Sequence, residues 1–134
     1  FILNWFTEDQ VACISNPSES EYTVKVSDLA PNAIGVKMLT IKLSSAEAIV
    51  LESRKASSDS LISPDEEGIF AYYIDTSIGS NVGAIKVIYK ENAPASGWYP
   101  STLTKGDKGV FRNYTIEILD SDSSGEIVKV TIKK

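Results

Sequence analysis

The chain of 134 residues contains no histidine. That absence removes the Ser-His-Asp and Cys-His arrangements, in which an imidazole carries the proton. It also removes zinc sites built on histidine. A single cysteine, Cys13, removes those built on several thiolates. With one cysteine, no disulfide can close within the chain. Cys13 stands in Gln10-Val11-Ala12-Cys13-Ile14 among apolar neighbours, which predicts a buried and inert thiol. A reactive thiol or an intermolecular disulfide is the alternative. No apolar run approaches the roughly 18 residues that span a bilayer, so membrane insertion is not expected. The segment Phe1 to Phe6 is apolar but short. It lacks the basic leader and small-residue cleavage site of a signal peptide. A chain that starts at Phe1 without methionine is expected to be processed or excised from a longer one, so a leader can precede it.

Basic side chains are also in the minority, 13 Lys and Arg against 18 Asp and Glu, for a net charge of −5. Phosphate backbones and anionic membrane surfaces need a basic face, so nucleic acid is not an expected partner. The carboxylates are scattered, as on a solvated surface. Catalysis by paired carboxylates survives composition alone, but no pair stands out from the scatter.

What is present is a period-two pattern, the mark of half-buried strands. Tyr22–Val26 alternates. Val36–Leu43 alternates with its lysines outward, which puts Val36, Met38 or Leu39, Ile41 and Leu43 toward a core. Ala48–Arg54 is more continuously apolar and reads as central in a sheet. Gly68–Asp75 and Ala84–Tyr89 follow as strands, separated by the glycine-punctuated loop Thr76–Gly83. Tyr114–Leu119 and Ile127–Ile132 form a closing hairpin. The stretch between them, Asp120-Ser121-Asp122-Ser123-Ser124-Gly125, is strong turn chemistry. The exception to period two is Thr7–Ile14, where Thr7 and Gln10 match a capping box and predict one short helical turn, ended by Asn16-Pro17. The length suits one domain. The prediction is therefore an all-β chain, an antiparallel β-sandwich of about seven strands with one short N-terminal helical turn. Residues 1–20 make an N-terminal arm and the turn, and residues 21–134 make the sandwich.

Several clusters invite a functional reading. Asp120 to Gly125 matches the first half of a calcium loop. The twelfth position is Thr131 rather than a bidentate Glu, and the flanks are strands, so a hairpin turn is expected. Asp59, Asp65, Glu66 and Glu67 gather carboxylates in the loop Ala56–Glu67, which can hold calcium or simply be solvated; no other cofactor is indicated. Glu52 and Arg54 share one face of a strand, and Asp75 ends a strand that can pair with it. A structural Arg54–Asp75 or Arg54–Glu52 ion pair is expected, because an unpaired charge there is costly. Trp98 and Tyr99, between Gly97 and Pro100, either cap one end of the core or form a platform on which a sugar ring stacks. Asn113-Tyr114-Thr115 is an N-glycosylation acceptor pattern, used only where the host glycosylates exported proteins.

Four stretches also resemble a known family in order. They are Trp5-Phe6-Thr7-Glu8-Asp9-Gln10-Val11-Ala12-Cys13; Ala48-Ile49-Val50-Leu51-Glu52-Ser53-Arg54; Gly68-Ile69-Phe70-Ala71-Tyr72-Tyr73-Ile74-Asp75-Thr76-Ser77-Ile78-Gly79-Ser80; and Leu103-Thr104-Lys105-Gly106-Asp107 with Tyr114-Thr115-Ile116-Glu117-Ile118-Leu119. They are similar to the β-rich region after the catalytic domain in secreted bacterial proteins of the M6 (immune-inhibitor-A-like) metallopeptidase group. That family's zinc-binding H-E-x-x-H helix has no counterpart here, so no catalytic residue carries over. The resemblance implies a secreted or cell-surface protein. It implies a non-catalytic accessory domain that packs against an upstream domain of the same polypeptide or neighbouring surface subunits. A carbohydrate- or cell-surface-binding module with a glycan partner is one alternative, motivated by Trp98 and Tyr99. A subunit of an extracellular filament or surface layer, assembled through the apolar arm Phe1–Phe6, is another.

Overall fold

The computed structural model describes residues 6–15, 20–56, 63–79, 81–93 and 101–133. Ten strands run through them: β1 (Val11–Ile14), β2 (Glu21–Ser27), β3 (Met38–Lys42), β4 (Glu47–Arg54), β5 (Gly68–Asp75), β6 (Ile85–Val87), β7 (Thr102–Leu103), β8 (Lys108–Phe111), β9 (Tyr114–Asp122) and β10 (Gly125–Ile132). They make two sheets. The first has six strands, in the order β1-β3-β4-β5-β6, with β7 also pairing with β5. The second has four, in the order β2-β10-β9-β8. Every ladder is antiparallel except β1 with β3, which is parallel. The fold is the expected all-β sandwich, with β4 central in the larger sheet.

Alternation explains the core. On β3, β4 and β5 every second side chain turns inward: Leu39 and Ile41, Ile49 and Leu51, Ile69, Ala71 and Tyr73. They meet Val26, Ile116, Ile118, Val128 and Val130 from the smaller sheet, all fully or almost fully buried. Each large aliphatic side chain taken from water stabilises by about 1.5–3 kcal/mol, which is what holds the sheets face to face.

The β9–β10 hairpin closes tightly because its turn residues satisfy each other. The amide and hydroxyl of Ser124 donate to Asp122 Oδ1 at 2.7 and 2.6 Å. Gly125 follows with φ +147°, and a Cβ there would lie 2.1 Å from the Val26 carbonyl oxygen. Only glycine admits that approach of β2.

Several expectations change. Within Thr7–Ile14 only Glu8–Gln10 is helical, a 3-10 turn in which Gln10 Oε1 accepts the Thr7 amide at 3.1 Å. Val11–Ile14, read as part of that turn and of the arm, is extended instead. It finds a partner in β3, and two β-branched residues fit a pleated ladder better than a helix. Cys13 is exposed rather than buried, because the pleat sends Ala12 and Ile14 toward the core and turns the thiol outward. Lys37 is buried at 3% exposure, not outward. Its ammonium donates to the carbonyls of Ala30 and Pro31 at 2.7 and 3.3 Å, which satisfies the charge. Between Met38 and Leu39 the register selects Leu39 for the core. Thr102–Leu103 and Lys108–Phe111, which the period-two reading did not mark, are strands.

Candidate functional site

The outward residues of a sandwich sheet are normally polar, since they meet water. The larger sheet departs from this. Register aligns Cys13, Thr40, Val50, Tyr72 and Val87 in one row across five strands. A second row joins Lys42, Ala48, Ile74 and Ile85, and a third joins Val11, Met38, Glu52, Phe70 and Thr102. The middle row carries no charge. Val50 is only 5% exposed, although its strand position faces outward, while Ile85 at the sheet edge is 62% exposed. Met38, Thr40, Ala48, Val50, Tyr72 and Ile74, with Cys13 at the side, line a shallow concavity of about 450 Å³. Such a surface has the chemistry to bury apolar area against a partner.

Polar groups stand at both ends of the larger sheet, on its outward side at Glu52 and toward the smaller sheet at Glu47. At one end the Tyr72 hydroxyl donates to Glu52 Oε1 at 2.6 Å. Burial, reinforced by the Glu52 carboxylate, pushes the Tyr72 phenol well above its usual range. The Arg54 guanidinium lies 4.2 Å from the centre of the Phe70 ring and 3.9 Å from Glu52 Oε2. At the other end Arg112, in the turn between β8 and β9, reaches across from the smaller sheet. It donates to Glu47 Oε1 at 2.7 Å. That hydrogen bond, then the one from Tyr73, holds the Glu47 carboxyl down at about 2. Phe111 stacks on Tyr73 with ring centres 4.6 Å apart.

The sequence-singled residues distribute as follows. Of the two expected pairings of Arg54, Glu52 is the neighbour. Asp75 stands at the far end of the β4–β5 ladder, opposite Glu47, while Arg54 lies opposite Gly68. An Arg54–Asp75 pair is therefore excluded by register. Asp75 instead accepts the amide and hydroxyl of Ser77 at 2.9 and 2.6 Å, which lowers its carboxyl below the usual range. Glu66 turns back to the amide and hydroxyl of Ser63 at 3.2 and 2.9 Å. Glu67 accepts the Ala56 amide at 2.9 Å. The Ser63 side chain lowers Asp65. Among the described residues, no three of these acidic or thiol groups converge as a metal site would require. Asn113 sits in the exposed turn after β8 and donates to the Lys133 carbonyl at 3.0 Å. Asp59, Trp98, Tyr99 and the arm residues 1–5 lie outside the described residues.

Among the polar pairs that sequence reasoning missed, Lys55 with Glu126 stands at 2.5 Å and is almost wholly buried. The signal was parity: Lys55 continues the inward series Leu51 and Ser53, and Glu126 begins the inward series Val128 and Val130. Comparison with protein-family models, curated proteins and solved structures finds no match.

Proposed function

We propose that this β-sandwich is a non-catalytic accessory module of an exported bacterial protein. Its role is to pack, through the outward face of the six-stranded sheet, against a neighbouring domain of the same polypeptide. The observation that carries the reading is the uncharged row Cys13, Thr40, Val50, Tyr72 and Val87 at the centre of that face. A sheet face meant only for water would place charge there. The likeness to the region that follows the catalytic domain in immune-inhibitor-A-like proteins supports the choice of occupant.

Hydroxyl-radical footprinting tests it. Met38, Cys13 and Tyr72 should label readily in the isolated 134-residue chain and several-fold less in the longer polypeptide. Equal labelling in both would sink the docking role.

A further inference from the structure

Lys55 and Glu126 sit at one end of the core, on opposite sheets. The two side chains are 6% and 0% exposed, and Lys55 Nζ is 2.5 Å from Glu126 Oε1. Ser121 Oγ accepts from Lys55 Nζ at 3.1 Å and donates to Glu126 Oε1 at 3.2 Å. Glu126 Oε2 is buried with no hydrogen-bond partner among the described residues, as is Ser53 Oγ. Asp28, 6% exposed, bridges Ser53 and lies on the strand position two beyond Val26, the ladder partner of Glu126. Burying an ammonium and a carboxylate costs several kcal/mol per ion, and the cost is recovered only when every lone pair is met. Here one carboxylate oxygen is left unmet among the described residues. As an ion pair, this is a poor stabiliser.

The same geometry suits a different outcome. We infer that Lys55 and Glu126 condense into an intramolecular amide that staples the two sheets. A proton passes from the Lys55 ammonium to the Glu126 carboxylate, leaving an amine against a carboxylic acid. The Nζ lone pair attacks Glu126 Cδ, and the Nζ–Cδ bond forms. The Ser121 hydroxyl, already aimed at Oε1, stabilises the negative charge that develops there. The Cδ–Oε2 bond breaks, and Oε2 leaves as water with the acid proton and one proton from Nζ. Ammonium plus carboxylate becomes amide plus water, with no other reactant. Fixing the two groups in contact inside a packed core supplies the proximity that an amine and an acid lack in solution. Lys55 and Ser121 also line a surface cavity of about 320 Å³, which gives the water an exit. The bond would provide a covalent inter-sheet link in a chain whose single cysteine cannot make one. It does not rest on the docking role.

Intact mass spectrometry of the folded chain under denaturing conditions decides it. The mass should be about 18 Da, one water, below that of the sequence. A tryptic digest should show the peptide bearing Lys55 joined to the peptide bearing Glu126. Lys55→Arg keeps the charge but not the nucleophile and should restore the full mass. Full mass in the folded wild-type chain overturns the inference, and so does a water loss that maps to any other residues. Should Lys55→Arg fail to fold, the wild-type mass and peptide map still decide.

Discussion

Tyr73 and Glu47 are joined across the β4–β5 ladder, with the phenol donating to Glu47 Oε1 at 2.5 Å. The Arg112 guanidinium from the other sheet donates to that same oxygen. One carboxylate thus ties three segments of chain, and its protonation loosens all three.

That arrangement makes stability depend on pH on the acid side. The Glu47 carboxyl is lowered from 4.5 to about 2, chiefly by the Arg112 hydrogen bond. A lowered carboxyl stabilises the folded state fully above its unfolded value and loses that contribution as pH falls toward its folded value. The urea midpoint should hold above about pH 5 and decline between roughly pH 4.5 and 2. Glu47→Gln should lower the neutral-pH midpoint and flatten this slope. An unchanged slope would mean that Glu47 is not the controlling group. Asp75, Asp120 and Asp122, all lowered by hydrogen bonds, add to the decline in the same direction.

The alkaline side has the opposite sign. The Tyr73 phenol is raised to about 12, first by its bond to Glu47 and then by burial. A raised phenol contributes stability below its ordinary value of 10, and that contribution is lost as pH climbs through its folded value. Absorbance at the phenolate band should show Tyr73 ionising above the ordinary tyrosine range but before Tyr72, whose phenol is raised further. Tyr73→Phe should remove a step of one chromophore above pH 11.

Core truncation should follow burial, not hydropathy. Leu51→Ala empties a fully buried site on the central strand and should cost about 2–5 kcal/mol in denaturant unfolding. Val110→Ala, at a site 41% exposed, should fall within about 0.5 kcal/mol of the parent. Comparable losses at both sites would contradict the inward assignment of Leu51.

Gly125→Ala should be among the most damaging single changes. Its Cβ would stand 2.1 Å from backbone rather than from a flexible side chain, so β2 must move or the hairpin must open. We expect lost near-UV circular dichroism or a fall in melting temperature of several degrees. A variant as stable as the parent would show the β9–β10 turn is built otherwise.

Cys13 gives a direct chemical check on β1. An exposed thiol should react with a disulfide exchange reagent in the native chain, one equivalent per molecule, at a rate near that of the unfolded chain. A thiol that reacts only after denaturant would place β1 the other way round.

Where strands carry their own signal, the sequence was legible. Gly68–Asp75 alternates, begins on glycine and ends on a charged residue, and it is β5 residue for residue. The closing hairpin was readable because turn chemistry lies between two alternating runs, though the ladder runs on to Asp122 and resumes at Gly125. β1, β7 and β8 were not readable. They are two to four residues long, and each is extended because a distant strand offers it hydrogen bonds. Local capping signals at Thr7 and Gln10 then outweighed a partner some 27 residues away, whose pairing only the folded chain makes visible.

By itself the sequence determined the all-β class and the course of the longer strands. It also removed histidine-based chemistry, because composition and period-two spacing are local properties. Only the tertiary structure decided that Arg54 and Asp75 stand apart, that Cys13 faces out and that Lys55 meets Glu126 in the core. It also showed that the outward residues of five strands align into one uncharged row. Those relations depend on register and on which sheet packs against which, and a shift of one residue in a strand would send its inward side chains outward.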